Sequence, residues 1–523
     1  MDSNIDKIDQ ANLAEKALLS LRLLTGDDKA TFRSGQLEAI EELVINGGRV
    51  LLVQRTGYGK SAVYFIATKL LRGMKNNCSI LISPLLALME NQMNAAERMG
   101  LSVATINSEN KDDWEEIFQN LENDGVDLLL VSPERLANPE FLKRMAGVLK
   151  ESGLLIIDEA HCISDWGHDF RPDYQRISQL LQKLSSGVPV LACTATATSY
   201  VVNDVTEQLS NERDLKIFRG PLRREGLGLF AMEKPGREER VAWLIRFLQE
   251  IEGSGIIYCL TIADTKKLSE TLQAFGIKAE AYHSQVDSGQ KQSTLLALVE
   301  NRLKAVVATS ALGMGYDKFD LKFVVHYQSP SSPLSYYQQV GRAGRGLDKS
   351  FGALLVGSED KEIQDFFIDN AFPDPEMVDM ILAMEKGNDW WTITDLVSQF
   401  GYSKKKIVQF MRILSVEGAV TNEGAPDNRV HCWKRTPKVW SYDYDRRSKV
   451  KERRLIEQKK MREYLNTRGC RMRFLIAALD GVDEANEAKC GACDNCTDEP
   501  LFDYQISSSF LQEVSQKMQD SSQ

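Results

Sequence analysis

The chain has 523 residues, 43% of them apolar and 26% charged, with a formal net charge of −10. This is the composition of ordinary globular protein, too long for one core, so several domains are expected. No run of about eighteen apolar residues exists and the start, MDSNIDKIDQ, is acidic and polar rather than signal-like. No membrane contact is expected, and the chain reads as soluble and intracellular, in a bacterial cytoplasm or nucleoid or a eukaryotic nucleus.

Residues 1–30 carry a helical repeat at Leu13, Ala17, Leu18 and Leu21, which predicts a helix packed on the first domain. From 31 to 219, near-continuous apolar runs alternate with helical patterns, as buried parallel strands require. The runs are Val50–Gln54, Ser79–Ser83, Val126–Ser132, Leu154–Asp158 and Val188–Thr194. The first leads into Thr56-Gly57-Tyr58-Gly59-Lys60-Ser61, a phosphate-loop candidate, although Gln54 stands where the strict pattern has its first glycine. Gly57 and Gly59 let backbone amides approach phosphate oxygens, Lys60 reaches the β/γ-phosphates, and the Ser61 hydroxyl suits magnesium. A tight turn is the bland alternative. The fourth run ends in Asp158-Glu159-Ala160-His161, where Asp158 is expected to hold magnesium and Glu159 to polarise a water.

A second alternating block spans 220–370, with strand candidates Gly255–Leu260, Ala279–His283, Ala305–Thr309, Phe323–Tyr327 and Gly352–Val356. Two tandem doubly wound α/β domains with parallel sheets are expected. The second contains QQVGRAGR, which offers Gln338, Arg342 and Arg345 for transition-state charge. Loop, carboxylates and arginines together describe an NTP-driven motor.

Beyond Asp369 the rhythm changes. Helical patterns at Glu376–Glu385, Thr394–Phe400 and Ser403–Glu417 precede a hairpin candidate around Gly424-Ala425-Pro426-Asp427-Asn428, so 373–438 reads as an inserted winged helix-turn-helix. Ser403 would cap a helix opening with Lys404, Lys405 and Lys406, well placed for phosphate. A helical spacer with an exposed basic end is the alternative. Lys404 to Arg473 holds twenty Lys/Arg against eight Asp/Glu, a basic segment on an acidic body that suits a local phosphate-binding surface or a solvated helix. Residues 440–497 form a helical module ending in four cysteines, and 498–523 a polar tail. Cys470, Cys490, Cys493 and Cys496 have the spacing of a tetrathiolate zinc site, with redox thiols as the alternative.

Phe32-Arg33-Ser34-Gly35-Gln36, the phosphate loop, Ser83–Met89 (SPLLALM), Ser132-Pro133-Glu134-Arg135, DEAH, Thr194-Ala195-Thr196 and QQVGRAGR follow the order of superfamily 2 helicases. The strip HCISDWGHDFRPDY from His161 to Tyr174 resembles the aromatic-rich loop of RecQ DNA helicases. Ala311–Lys318 (ALGMGYDK) and the CGACDNC shape are similar to the same family.

The resemblance implies two RecA-like domains, with ATP, Mg2+ and Zn2+ as cofactors. It implies an ATP-dependent helicase moving 3′ to 5′ on single-stranded DNA or a duplex with a 3′ tail, in repair or recombination and with proteins of those processes as partners. Gln36, beside Arg33, would read adenine, whose edge both donates and accepts. Lys29 stands where the family stacks an aromatic ring. Asp317 would order the γ-phosphate site or the ribose. His161 would link the ATP site to the aromatic strip, where Trp166, His168, Phe170 and Arg171 would meet DNA by stacking and charge. Thr194 and Thr196 would transmit between domains, and Arg345 is the first choice for an arginine finger facing the γ-phosphate across the cleft.

Family members usually carry a winged-helix domain after the zinc module, often followed by a further helical domain. Here only Thr497 to Gln523 follow Cys496, so neither is expected, and the winged-helix candidate precedes the cysteines. The chain would then translocate yet unwind weakly, or use a hairpin near Asn422–Val430 as the wedge. The alternatives are an RNA helicase and a DNA-binding or recruitment protein with a vestigial motor, the latter opposed by intact Lys60, Asp158, Glu159 and Arg345.

Overall fold

The computed structural model describes residues 10–520, apart from 76, 85, 108–109, 165–171, 183, 186, 196–197, 211–213, 235, 314–315, 317, 373–374, 384–389, 423–431, 482–488 and 498–500. The chain divides into two compact units.

The first unit is built on seven strands: β1 (Arg49–Val53), β2 (Ser79–Ile82), β3 (Val103–Ile106), β4 (Leu128–Val131), β5 (Leu155–Ile157), β6 (Val190–Thr194) and β7 (Leu215–Arg219). They pair in parallel in the order β3-β4-β2-β5-β6-β1-β7. Every residue of β1, β2, β4, β5 and β6 is buried, which explains their near-continuous apolar runs. The edge strands β3 and β7 are half-exposed and less apolar, so they escaped the sequence pattern. Helix Gln10–Thr25 contributes Leu13, Ala17 and Leu21 to the same core as Ile40, Phe65 and Leu52. Because β6 lies between β1 and β5, the loop after β1, the turn after β5 and the end of β6 share one sheet edge.

Residues 370–450 group with this unit. Helices Pro375–Ala383, Ile393–Phe400 and Lys404–Val416 enclose a small core with Trp391, Phe410 and Trp433. The accompanying antiparallel sheet has the order β14-β16-β15, from β14 (Trp391–Thr392), β15 (Val420–Thr421) and β16 (Cys432–Arg435). Thr392 and Asp395 form a capping box at the second helix, which ends on Gly401 at φ 68°. The Ser403 hydroxyl accepts from Lys406 N at 3.3 Å and caps the third helix, leaving Lys404 and Lys405 exposed. That third helix packs on helix Pro172–Leu181, where Arg176 Nη2 donates to Ser415 Oγ at 3.1 Å. The hairpin tip expected near 424–428 lies outside the described residues.

The second unit carries a parallel six-stranded sheet, β10-β11-β9-β12-β13-β8. Its strands are β8 (Leu227–Glu233), β9 (Gly255–Tyr258), β10 (Ala279–Tyr282), β11 (Ala305–Ala308), β12 (Phe323–His326) and β13 (Ser350–Val356). Helix Arg471–Ala478 and the cysteine segment pack on one face through Leu475, Ile476 and Cys493. The segment expected to be a polar tail covers part of the other. Phe502 meets Phe230 and Phe247 at ring distances of 5.3 and 4.9 Å, and its carbonyl accepts from Trp243 Nε1 at 3.0 Å. Helix Ser508–Asp520 buries Val514 and Met518. A few apolar residues at helical spacing suffice to dock a segment whose remaining surface is polar. Among the described residues, no helix is long and apolar enough to cross a membrane.

Candidate functional site

The loop after β1 has Gly57 at φ 80° and Gly59 at φ 92°, left-handed conformations that favour glycine. A Cβ on Gly59 would meet Gln36 Nε2 at 2.8 Å, so the loop also needs glycine for space. Gln36 is bound into this loop. Its Oε1 accepts from Arg33 N at 2.8 Å, and its Nε2 lies 3.1 Å from the carbonyl oxygens of both Tyr58 and Gly59, donating to them. The Arg33 guanidinium lies 5.2 Å from the centre of the Tyr58 ring. Gln54 is fully buried and donates to Ser34 O at 3.2 Å, which gives a structural use to the residue replacing the first loop glycine. Lys60 opens helix Lys60–Lys75, and its Nζ donates to Gln54 O at 3.0 Å. Ser61 and Lys29 are exposed.

Asp158 follows β5 and is buried. Its Oδ1 accepts from Glu159 N at 3.0 Å and its Oδ2 from Gln92 Nε2 at 3.3 Å, while Tyr174 donates to its main-chain oxygen at 3.0 Å. Burial pushes the Asp158 carboxyl above the ordinary carboxylate range, and the Lys60 charge pulls it back. Glu159 adopts φ 50°, an unusual conformation for a non-glycine residue. His161 is fully buried, with Nδ1 3.1 Å from Thr194 Oγ1 at the end of β6 and 3.4 Å from Glu159 Oε2. Lys60, Asp158, Glu159, His161 and Thr194 therefore stand on three neighbouring strand ends. This is an arrangement that can hold a polyphosphate, a divalent cation and a polarised water.

Trp166, His168, Phe170, Arg171, Thr196 and Asp317 lie outside the described residues. Tyr64, Gln92 and Tyr174 build the surroundings of Asp158; Tyr174 closes the aromatic strip read from the sequence, whereas Tyr64 and Gln92 belong to no motif that the sequence makes visible. Their only local signal is a polar group on an otherwise apolar helix face.

In the second unit, Gln338 is buried on helix Pro333–Val340. Arg342 is buried too, donating to Tyr316 O at 2.9 Å and hydrogen-bonded to the Tyr258 hydroxyl, whereas Arg345 is half-buried. Residues 55–57 group with this unit. Arg224 Nη2 donates to Thr56 Oγ1 at 2.8 Å, and a Cβ on Gly57 would lie 3.2 Å from Arg345 Cδ.

Cys470, Cys490, Cys493 and Cys496 bring their four sulfurs within 4.8 Å of one another. Tetrahedral zinc with thiolates at about 2.3 Å sets sulfurs roughly 3.8 Å apart, and Cys490 and Cys496 stand at 3.9 Å. Backbone amides of Cys490, Arg471 and Cys493 point at sulfurs at 3.4 Å, as thiolate ligands require. The donor set fits zinc.

Two family profiles match: DEAD/DEAH box helicase over residues 33–205 and helicase conserved C-terminal domain over 239–346. The chain is 32% identical to the probable ATP-dependent DNA helicase RecS of Bacillus subtilis, over 75% of its own length and 78% of that protein. It is 33% identical to the ATP-dependent DNA helicase RecQ of the same organism, over 71% of its length but only 61% of the relative. With the putative ATP-dependent DNA helicase Q1 of Caenorhabditis briggsae it shares 36% identity over 60% of its length and 51% of the relative. Among solved structures, Saccharomyces cerevisiae Dbp5 bound to RNA and ADP BeF3 superposes with a TM-score of 0.54 at 17% identity, covering 67% of this chain and 91% of that one. The helicase Lhr of Mycobacterium smegmatis gives 0.54 at 18%, covering 80% and 60%. At such identities these two speak for the fold alone.

Proposed function

The chain belongs to the RecQ/RecS family of DNA helicases and is an ATP-hydrolysing enzyme of that class, and from this premise we propose a motor that moves 3′ to 5′ on single-stranded DNA and acts on duplexes with a 3′ tail. Repair or recombination is its setting, and proteins of those processes are its partners. The RecA-like domains are assigned to 31–219 and 220–370, a winged helix to 373–438 and a zinc module to 440–497.

The observation that carries this reading is the shared edge of β1, β5 and β6, with Lys60, Asp158, Glu159, His161 and Thr194 on it. In the proposed reaction the loop amides at Thr56, Gly57 and Gly59 and the Lys60 ammonium neutralise phosphate oxygens. Ser61 and Asp158 would hold magnesium, which supplies further charge at the phosphates. Glu159 orients and polarises the attacking water. Gln338, Arg342 and Arg345 stabilise the charge that develops on the transferred phosphoryl group. Arg345 is the preferred finger because Arg342 is already committed to Tyr316 and Tyr258. Arg33 and Gln36 recognise adenine, although the Gln36 amide must first release the loop carbonyls. Asp317 orders the nucleotide. Trp166, His168, Phe170 and Arg171 contact DNA, and His161, Thr194 and Thr196 relay that contact. Zinc at the four cysteines is structural, since all four positions are filled by sulfur.

A second reading, a DNA-stimulated translocase with little unwinding, is favoured by one observation. The third helix of the inserted module spends one face on helix Pro172–Leu181. Steady-state ATPase without nucleic acid, with single-stranded DNA, with single-stranded RNA and with a 3′-tailed duplex tests all readings, followed by strand separation. DNA stimulation that Lys60→Ala abolishes, together with unwinding, is expected. Stimulation without unwinding selects the translocase, and preferential stimulation by RNA overturns the DNA assignment.

A further inference from the structure

We propose that Gln92, backed by Tyr64, is a positioning residue for the magnesium ion that Asp158 and Ser61 would hold, an inference that rests on the assignment of those two ligands. Gln92 lies on helix Leu86–Arg98, after β2, and is buried. Its Nε2 is 3.3 Å from Asp158 Oδ2 and 2.9 Å from the Tyr64 hydroxyl. A carboxylate only accepts, so the amide edge facing Asp158 is the NH2, whatever orientation a symmetric side-chain amide is first given. That leaves Gln92 Oε1 as a buried acceptor with no partner among the described residues. Tyr64 stands one turn beyond Lys60 on the helix that comes after the phosphate loop.

Tyr64, Gln92 and Asp158 therefore form one hydrogen-bonded chain that ties the helix carrying Ser61 to the carboxylate assigned to the metal. With Glu159 N on Oδ1 and Gln92 on Oδ2, neither carboxylate oxygen can swing without breaking a bond. Fixing the carboxylate this way lowers the reorganisation needed to accept a cation. The buried Gln92 carbonyl oxygen is the acceptor that a metal-bound water needs when ions such as magnesium keep part of their hydration shell. An isolated buried amide oxygen is costly, which argues that it has a partner in the loaded state.

Fluorescent ADP binding to the full chain, titrated in EDTA and again in excess magnesium, gives the factor by which magnesium tightens nucleotide. Gln92→Met keeps volume and removes both polar groups. It should leave affinity in EDTA unchanged and cut the magnesium factor about 10-fold, as loss of an outer-shell partner does. Tyr64→Phe should cut it by a smaller, measurable amount, and it carries the test if Gln92→Met does not fold. An undiminished magnesium factor in a folded Gln92→Met, or in Tyr64→Phe alone, overturns the proposal. Asp158→Asn separates the layers. If it abolishes the magnesium factor while Gln92→Met does not, this inference alone fails. If Asp158→Asn keeps the factor, the ligand assignment fails and takes the inference with it.

Discussion

His161 Nδ1 lies 3.1 Å from Thr194 Oγ1, joining the turn after β5 to the end of β6 inside a site with no exposed surface on the histidine. Glu159 Oε2 faces the same nitrogen at 3.4 Å. A movement of either strand end thus alters the hydrogen bonding of the residue next in line to the carboxylates. Thr194→Val keeps the shape of the side chain and removes the hydroxyl. It should lower the ratio of DNA-stimulated to unstimulated ATPase by about 5- to 10-fold, the equivalent of one net hydrogen bond. Matched ATPase titrations with single-stranded DNA check this, and an unchanged ratio would rule out the relay.

Acid should weaken the second unit through His326. The ring is fully buried, stacked on Tyr258 at 5.2 Å, and burial pulls its pKa down to about 4. The unfolded chain binds that proton near pH 6.5, so stability present above 6.5 drains away as pH falls towards 4. The full window is worth about 3 kcal/mol. Denaturant unfolding followed from pH 8 to pH 4 should show a shallower acid limb in His326→Asn than in the parent. Parallel limbs would exclude His326 as a contributor.

The cysteine module is tied to β8. Arg471 donates to Asp494 Oδ1 at 2.5 Å, Asp494 N to Leu229 O at 2.9 Å, and Ala231 N to Asp494 Oδ2 at 3.2 Å. If the four cysteines hold zinc as proposed, Cys493→Ser should abolish zinc binding and lower the melting temperature of the second unit, because metal binding is coupled to folding. Arg471→Ala should retain the four ligands yet cost about 2 kcal/mol, the scale of a charge-assisted bond. Zinc content by elemental analysis, read beside thermal unfolding, distinguishes the two. Full stability in a zinc-free Cys493→Ser protein would refute a structural role.

The Arg176–Ser415 hydrogen bond lies within the packing of the inserted module's third helix on helix Pro172–Leu181. Ser415→Arg places a second guanidinium there, near Arg412 and Arg135, whose charges already oppose one another. Limited proteolysis should then cut faster between residues 370 and 440, and the yield of unwound duplex per ATP hydrolysed should change. Identical cleavage patterns would mean that this contact does not hold the module.

Much of this protein is written locally. Strands β1, β2, β4, β5 and β6 announce themselves because both sheet faces are covered, so each run is apolar but for a terminal Arg49, Ser79 or Thr194. The phosphate-loop candidate and the Asp-Glu pair are readable because their chemistry needs particular residue types within one turn or strand end, and the cysteines because Cys490, Cys493 and Cys496 recur at every third position. Strands β3, β7 and β8 carry no such signature: the first two are half-exposed edges, and β8 ends polar.

Folding adds relationships across long sequence separations that no local pattern contains. Gln92 reaches Asp158 from 66 positions away, and Arg176 reaches Ser415 from 239. Gln36, expected to read adenine, is hydrogen-bonded to the carbonyls of the loop after β1, and Phe502 lies over a sheet face from a segment that reads as polar. Local periodicity encodes which face of an element is buried. It does not encode which other element covers that face, because that depends on the shapes and charges of surfaces brought together only when the chain has folded.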